Sequence, residues 1–255
     1  MTEPLLILTG LNLRPERLVP LTRHWEKSGF DPVPVPLTGF SPSHWKTMVS
    51  IGPDDWLADL DRTWQTWAAP DGALEQGRPV SILGYSLGAL LGCCWALERN
   101  VSLRRMIMLA PAWRLRPSLQ NTLRLLCKVS PAWLSLPVLA PRAYVMRGYT
   151  TISAYRALTG LQDRLQTLWP EPARQPLPGN PAMFVAYSPR DEFLDTKWMD
   201  EQCSSAGNRW VRHHLNFKPR RFYTHHLGMD EATLGRTEWE RLLGEMDRFS
   251  EQISD

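Results

Sequence analysis

A serine between two glycines, in Gly84-Tyr85-Ser86-Leu87-Gly88, is the part of this chain whose residue types point most directly to chemistry. A short apolar run, Val80–Leu83, precedes it, and a longer apolar stretch, Ala89–Leu97, follows it. This order predicts a strand, a sharp turn and a helix, with the hydroxyl of Ser86 held out from the turn. The glycines two positions before and after the serine leave room for the backbone there. The chemistry predicted is nucleophilic attack by Ser86.

A serine hydroxyl needs a base before it can attack, and the base needs a group that orients it. For a serine on such a turn, the expected order along the chain is serine, acid, histidine. A carboxylate, Asp191, stands four residues after the apolar run Ala182–Tyr187, and Glu192 and Asp195 are its alternatives. The loop at the carboxyl end of a strand is where catalytic groups gather in open α/β sheets. We therefore predict that Asp191 is the acid.

Four histidines follow Ser86 and could supply the base. His213 and His214 do not come just after a predicted strand in the appropriate place, so we expect them to be surface or strand-edge residues. His225 and His226 come later and are neighbours. Adjacent residues of one loop usually point to different sides, so only one of them can meet Ser86. The residues by themselves leave His225 and His226 both open.

Apolar strands and helices alternate along the first part of the chain and again near its end. The predicted strands are Leu5–Leu8, Val33–Pro36, Val80–Leu83, Arg105–Leu109 and Ala182–Tyr187. Helices are predicted from about Pro20 to Lys27, after Asp54 and Asp55, after the serine turn, and from about Thr237 onward. This alternation predicts an α/β fold with a mostly parallel central sheet that helices cover on both faces. The stretch Trp198–Leu215 fits either a helix or a strand.

The alternation stops between about Trp113 and Pro178, where the sequence is helical in character, rich in proline and without a clear strand. We predict a helical cap over residues 113–178, inserted into a core domain formed by residues 1–112 and 179–255. The leucine-rich stretch Leu123–Leu139 of this cap contains Trp133. It could pack against the core domain, form the wall of an acyl-binding pocket, or meet a lipid surface.

Composition limits the classes of function that remain. The 255 residues are 43% hydrophobic, which suits one sizeable domain, and the net charge is only +3 with no dense cluster of lysine and arginine, so nucleic acid is not an expected partner. The four cysteines lack metal-ligand or disulfide-framework spacing, so we expect reduced thiols and no metal. The N-terminus lacks the features of a signal peptide, and no apolar stretch reaches the length of a membrane span. A soluble, cytoplasmic protein is therefore predicted.

Three stretches resemble the α/β-hydrolase superfamily, and most of all its small carboxylesterases and monoacylglycerol lipases. The first is Leu5–Leu11, the second is Val80–Gly88 with Met106–Pro111 after its helix, and the third combines Asp191 with Thr224-His225-His226-Leu227. The resemblance spans nearly the whole chain, although the cap has no diagnostic motif. Thr9 stands where the family usually has a histidine before glycine.

The resemblance implies a role for each matching residue. Ser86 would be the nucleophile, Asp191 the acid and His226 the base, because the family often places its histidine in Ser-x-His before an apolar residue. The backbone amides of Leu11 and Leu87 would bind the oxyanion.

The implied function is hydrolysis of carboxylic esters with apolar acyl groups, through an acyl-enzyme. An acyl thioesterase or an acyltransferase with the same triad is an alternative, as is a catalytically silent binding module with this fold. The expected partner is a small-molecule ester, with no cofactor and no stable membrane insertion, although transient contact with a lipid interface is allowed. The sequence does not set the oligomeric state.

Overall fold

The computed structural model describes residues 2–40, 45–68, 80–174, 177–220 and 223–252. Its strands are β1 (Glu3–Leu8), β2 (Phe30–Pro34), β3 (Val80–Tyr85), β4 (Leu103–Leu109), β5 (Ser135–Pro137), β6 (Tyr149–Thr151), β7 (Ala182–Tyr187) and β8 (Trp210–His214). Six of them form one sheet in the order β2-β1-β3-β4-β7-β8, and every neighbouring pair in it is parallel. The predicted α/β fold with a mostly parallel central sheet is therefore confirmed.

Helices flank this sheet. They are α1 (Val19–Lys27), α2 (Pro53–Ala68), α3 (Leu87–Arg99), α4 (Pro117–Val129), α5 (Ile152–Leu168), α6 (Thr196–Ser205), α7 (Glu231–Leu234) and α8 (Arg236–Glu251). Helix α3 follows β3 directly and packs on β1, β3 and β4. Helix α8 buries Trp239, Leu242, Met246 and Phe249, the apolar face that its sequence pattern predicts.

The central strands are buried on both sides, which is why their sequences are continuous apolar runs. All six residues of β3 are buried, and so are the last five of β1 and of β7. The proline-containing strand β2 lies at one edge of the sheet, where a residue that lacks an amide hydrogen is tolerated. Helix α3 is also apolar almost all round, because it is enclosed by the sheet on one side and by α5 on the other.

The segment between β4 and β7 is not purely helical. Between α4 and α5 the short strands β5 and β6 pair antiparallel, so the prediction that this segment has no strand was wrong. Each strand has only three residues, and β5 ends in Pro137, so neither shows a recognisable period of alternation. Helix α5 contacts the core directly: the thiol of Cys94 lies 3.3 Å from the carbonyl oxygen of Leu161. The division into a core domain and a cap of residues 113–178 stays a prediction.

The stretch that fits either helix or strand in the sequence is both. Helix α6 occupies its first part, a single 3-10 turn follows at Gly207–Arg209, and β8 completes it at the edge of the sheet. All four cysteines are free and buried. Within the described ranges, no helix combines the length and the apolar character that crossing a membrane would require.

Because the strands are parallel, their carboxyl ends meet at one edge of the sheet. The residues that follow β1, β3 and β7 include Leu11, Ser86 and Asp191. The fold therefore gathers at a single edge three segments that the sequence analysis selected for their chemistry.

Candidate active site

Ser86 sits on a strained turn between β3 and α3. Its backbone has φ 52° and ψ −111°, a conformation that is uncommon for any residue with a side chain. Three backbone hydrogen bonds hold it there: the Ser86 amide donates to the carbonyl of Leu109 at 2.9 Å, and the Ser86 carbonyl accepts the amides of Ala112 at 3.1 Å and Leu90 at 3.3 Å. Strain of this kind persists only where surrounding contacts impose it. The predicted strand, turn and helix are therefore present.

Close contacts explain the two glycines that flank the serine. A Cβ atom on Gly84 would lie 2.6 Å from the backbone of Ala89. A Cβ atom on Gly88 would overlap the backbone carbonyl of Leu8, on the neighbouring strand β1. A side chain at either position would push α3 away from the sheet and would move the turn that holds Ser86.

Ser86, His226 and Asp191 form a continuous hydrogen-bonded chain. The Ser86 Oγ lies 2.9 Å from the Nε2 of His226, and the Nδ1 of His226 lies 2.7 Å from the Oδ2 of Asp191. The side chain of Asp191 is fully buried, and that of His226 is only 13% exposed. This geometry suits an imidazole that donates from Nδ1 to Asp191 and accepts the serine hydroxyl at Nε2.

Asp191 is ionised although it is buried. Burial is the largest influence and raises the pKa of Asp191, whereas the attraction of the His226 imidazole and their hydrogen bond lower it. The amides of Phe193 and Leu194 also donate to its Oδ1, at 2.8 and 3.1 Å. Together these contacts hold the pKa of Asp191 below its ordinary value. The loop amides thus fix Oδ1 of Asp191, while Oδ2 faces the imidazole.

Tyr85 holds the backbone of His226, a contact that the sequence did not reveal. Its hydroxyl donates to the carbonyl oxygen of His226 at 2.8 Å. Burial raises the pKa of Tyr85 well above its usual value, so the hydroxyl keeps its proton and remains a donor. On the other side, the ring of Phe193 meets the imidazole of His226 edge-on, with centroids 5.2 Å apart. These contacts orient the imidazole in addition to Asp191.

The alternatives to Asp191 and His226 make other contacts. Glu192 binds His225: its carboxylate lies 2.9 Å from the Nδ1 of His225 and also accepts the His225 amide. Asp195 caps the first turn of α6 and pairs with Arg114 at 3.2 Å. The chain of hydrogen bonds that reaches Ser86 thus contains Asp191 and His226, and these alternatives lie outside it.

The two earlier histidines end strand β8, at the edge of the sheet, as strand-edge residues. His213 is buried and stacks on Phe184, and burial lowers its pKa. The Nε2 of His214 lies 2.8 Å from a carboxylate oxygen of Asp200. These contacts are structural and separate from the contacts of Ser86.

The backbone amides predicted to bind an oxyanion belong to Leu87, which directly follows Ser86, and to Leu11, in the loop after β1. Leu87 is the first residue of α3, so its amide has no acceptor within the helix. Leu11 follows Gly10, and a Cβ on Gly10 would lie 2.6 Å from the ring of Tyr85 and 3.4 Å from the Cβ of Ser86. The loop after β1 therefore lies directly against the serine turn, and Leu11 lines the same cavity as Ser86.

Ser86 and His226 open into an apolar cavity of about 310 Å³. Its walls come from the loop after β1, from α4 and α5, and from the loops that carry Asp191 and His226. The lining side chains include Leu13, Leu115, Leu119, Leu123, Leu126, Leu136, Val138, Val145, Leu158 and Leu194. The polar groups among them are few, and they include the hydroxyl of Ser86 and the imidazole of His226. Such a cavity suits an aliphatic group attached to a reacting carbonyl.

The described residues include no group of three or more histidine, cysteine, aspartate or glutamate side chains placed to hold a metal ion. The side chains that meet at Ser86 are a hydroxyl, an imidazole and a carboxylate, a set that can perform nucleophilic and acid–base chemistry.

Comparisons with known proteins show the family and the fold. A family model described as serine aminopeptidase S33 matches residues 3–167, more than half of the chain. Comparison with proteins of curated function gave no significant match. Among solved structures, a soluble variant of the monoglyceride lipase from Saccharomyces cerevisiae superposes with a TM-score of 0.74 at 13% identity, covering 100% of this chain and 88% of that one.

Two further structures are similar over nearly their full lengths. The monoacylglycerol lipase from Paleococcus ferrophilus has a TM-score of 0.64 at 13% identity, with 99% of this chain and 96% of that one covered. A structure from work on LipS and LipT, two metagenome-derived lipolytic enzymes, has a TM-score of 0.69 at 16% identity, with 98% and 93% covered. At such identities the likeness shows a shared fold.

Proposed function

The chain belongs to the α/β-hydrolase family described as serine aminopeptidase S33, and from that premise we propose that it is a serine hydrolase that cleaves carboxylic esters with apolar acyl groups. The observation that supports this proposal most directly is the hydrogen-bonded chain from Asp191 through His226 to Ser86, because it ends at a hydroxyl that faces an apolar cavity.

The proposed reaction has two halves. His226 takes the proton of Ser86 at Nε2 while the Ser86 oxygen attacks the acyl carbon, and Asp191 stabilises the imidazolium without taking its proton. The amides of Leu11 and Leu87 donate to the oxyanion as it forms. His226 then gives its proton to the leaving alcohol, which departs and leaves the acyl group on Ser86. Water, deprotonated by the same imidazole, attacks the acyl carbon of the acyl-enzyme. The bond to the Ser86 oxygen then breaks, His226 returns the proton to that oxygen, and the acid is released.

The cavity favours, as the substrate, an ester of an aliphatic acid over a peptide with a free N-terminus. A substrate with an α-ammonium group would need a carboxylate to pair with, because burying an unpaired charge is costly. None of the described residues that line the cavity has a carboxylate side chain. An apolar acyl chain, in contrast, gains free energy from every methylene group that it buries against these leucines.

Exposed apolar side chains on the predicted cap, near the cavity, suggest where the substrate comes from. Leu125, Val129, Trp133 and Leu139 are 61%, 68%, 66% and 74% exposed, and Leu139 also lines the cavity. The exposed Lys128 lies beside Val129 in sequence. A surface of this composition favours transient contact with an anionic lipid surface, whose headgroups attract the lysine while the apolar side chains enter the interface.

A panel of p-nitrophenyl esters from acetate to palmitate tests the proposal. We expect turnover that rises from acetate to medium acyl chains, and loss of that turnover in Ser86→Ala. Ser205→Ala, at the exposed end of α6, is the matched control and should retain full activity. A fluorophosphonate should label the wild type and Ser205→Ala but not Ser86→Ala.

The possible results of these assays distinguish between the candidate functions. Ser86→Ala with wild-type turnover would exclude Ser86 as the nucleophile. Faster turnover of acyl thioesters than of the matching oxygen esters would indicate a thioesterase. The absence of both turnover and fluorophosphonate labelling in the wild type would indicate a silent binding module.

A further inference from the structure

Asn12 joins the loop after β1 to a distant part of the chain. It is 1% exposed and has φ 56°, a left-handed backbone that asparagine tolerates better than most residues. It follows Leu11, whose amide is proposed to bind the oxyanion. The contacts of Asn12 therefore act on the loop that carries this amide.

The side chain of Asn12 uses both its donor and its acceptor. Its Nδ2 donates to the carbonyl of Arg147 at 2.8 Å, to the carbonyl of Tyr149 at 3.2 Å and to the Oγ1 of Thr150 at 3.2 Å. Its Oδ1 accepts the amide of Arg147 at 3.2 Å. All of these partners lie in the segment between β5 and α5, more than 130 residues away along the chain.

Backbone hydrogen bonds on both sides of Asn12 join the same two segments, the loop after β1 and residues 144–150, and we call this connection the junction. The carbonyl of Asn12 accepts the amide of Met146 at 3.0 Å, and the amide of Arg14 donates to the carbonyl of Tyr144 at 2.9 Å. Between them, Leu13 and Val145 form an isolated antiparallel bridge. The loop after β1 is thus joined to residues 144–150 by main-chain and side-chain hydrogen bonds together.

We infer that Asn12 is a positioning residue that fixes the oxyanion-binding amide of Leu11 by attaching its loop to residues 144–150. The inference rests on the proposed function, since it assigns a purpose to that amide. On one side Gly10 lies against Tyr85 and Ser86, and on the other Asn12 is bound to the distant segment. The peptide that carries the Leu11 amide lies between these two anchors.

The junction also links this amide to substrate binding. Leu13 and Val145, which form the isolated bridge, both line the apolar cavity. Residues 144–150 therefore supply part of the acyl-binding wall and, through Asn12, the support for the oxyanion loop. Hydrolysis by a serine nucleophile depends on hydrogen-bond donors that are already in place when negative charge develops on the carbonyl oxygen. Support of the loop that carries such a donor therefore stabilises the transition state.

The variant Asn12→Gly tests the inference, because glycine keeps the left-handed backbone and removes only the side chain. Asn100→Gly is its matched control: Asn100 also has a left-handed backbone, at φ 51°, but is exposed at the end of α3 remote from the serine turn. The assays are kcat and KM for a medium-chain p-nitrophenyl ester, and inhibition by octylboronic acid and by octanol. The boronate forms a tetrahedral adduct on Ser86 with an oxygen at the oxyanion position, whereas the alcohol only fills the cavity.

For Asn12→Gly we expect kcat to fall about 10- to 100-fold, less than for complete loss of an oxyanion donor, with KM changed by less than about threefold. Inhibition by octylboronic acid should weaken by a similar factor, and inhibition by octanol should not change. Thr150→Val, which removes one acceptor of Asn12 and keeps the shape of the side chain, should show a smaller loss of kcat. Asn100→Gly should match the wild type.

Several results would overturn the inference. An Asn12→Gly variant with the kcat and the boronate inhibition of the wild type would contradict it. Equal weakening of inhibition by octylboronic acid and by octanol would also contradict it, because that result indicates general damage to the site. If Asn12→Gly does not fold, unchanged kcat in Thr150→Val decides against it. Hydrogen exchange at residues 9–14 should rise in Asn12→Gly, and this readout needs no turnover. A wild type without Ser86-dependent hydrolysis would remove the proposed function, and unchanged exchange would separately remove the junction.

Discussion

Two adjacent carboxylate–imidazole pairs lie at the carboxyl edge of the sheet, Asp191 with His226 and Glu192 with His225. They differ in surroundings: Asp191 is fully buried, whereas the side chain of Glu192 is 40% exposed. They differ also in what the imidazole reaches, because only His226 contacts Ser86. A charge buried next to the reacting groups is screened far less by water than one at the surface. The inner pair should therefore control the reaction, and the outer pair should mainly hold the two loops together.

Neutral variants of the two acids separate these roles. Asp191→Asn should lower kcat by on the order of 10³- to 10⁴-fold, because an amide that donates to Nδ1 forces the imidazole into the tautomer that cannot accept the serine proton. Glu192→Gln should lower kcat by less than about tenfold, because it weakens a partly exposed contact that does not touch Ser86. Steady-state kinetics on one ester, with circular dichroism to verify folding, measure both. Comparable losses in the two variants would show that the acid is wrongly assigned.

Residues at this site differ in how well the sequence predicts them. Ser86 was identifiable because its motif is local, and Asp191 because it follows a recognisable strand. The choice of His226 over His225 needed the resemblance to a family, since adjacent loop residues look alike in sequence. The contacts of Tyr85 and Asn12 had no signal in the sequence: their partners are 141 and up to 138 positions away, and only the folded chain brings them together.

At the scale of elements, the distance at which α3 packs on strands β1 and β3 fixes the position of the serine turn. Gly88 lies so close to β1 that a Cβ would overlap the carbonyl of Leu8. Helix α3 therefore rests on the sheet at a distance that only glycine permits. Ser86, with its strained backbone, immediately precedes this helix. The geometry of the serine turn therefore depends on the distance between α3 and the sheet.

Two glycine-to-alanine variants test this dependence. Gly88→Ala should destabilise the fold by about 1–3 kcal/mol, because the added methyl group meets backbone that cannot move freely. Gly244→Ala, within helix α8 and with open space around its added Cβ, should stabilise the fold by about 0.5–1 kcal/mol through helix propensity. Urea unfolding of both variants measures these changes. An unchanged midpoint for Gly88→Ala would mean that the helix can shift outward at little cost.

Elements were predictable where their sequences have a clear pattern. The buried strands β1, β3, β4 and β7 and the helices α1, α3 and α8 follow their apolar patterns. The three-residue strands β5 and β6 do not, because they are stabilised by pairing with each other and not by a buried alternating face. The stretch of α6 and β8 was ambiguous because it holds one element of each kind within fewer than twenty residues.

On the scale of the whole molecule, exposed apolar side chains are concentrated in one segment. Six large apolar side chains of the described residues are exposed, and four of them fall between positions 125 and 139, from α4 to the stretch just after β5. Chance placement would scatter them over the surface. The same segment supplies walls of the cavity beside Ser86, so the apolar surface and the proposed site lie close together.

The surface variant Val129→Ser/Trp133→Ser tests whether this segment meets lipid. Neither residue lines the cavity, so hydrolysis of a soluble short-chain ester should be unchanged. The partition coefficient onto anionic vesicles, measured by sedimentation, should fall more than about tenfold, because each of the two removed apolar groups loses about 1–2 kcal/mol of interfacial burial. Leu168→Ser, at the exposed end of α5, is the matched control and should bind vesicles like the wild type. Neutral vesicles should bind less of every variant if Lys128 contributes attraction to the anionic surface. Equal sedimentation of the double variant and the wild type would show that the exposed apolar segment does not dock on lipid, and that the ester reaches Ser86 from solution.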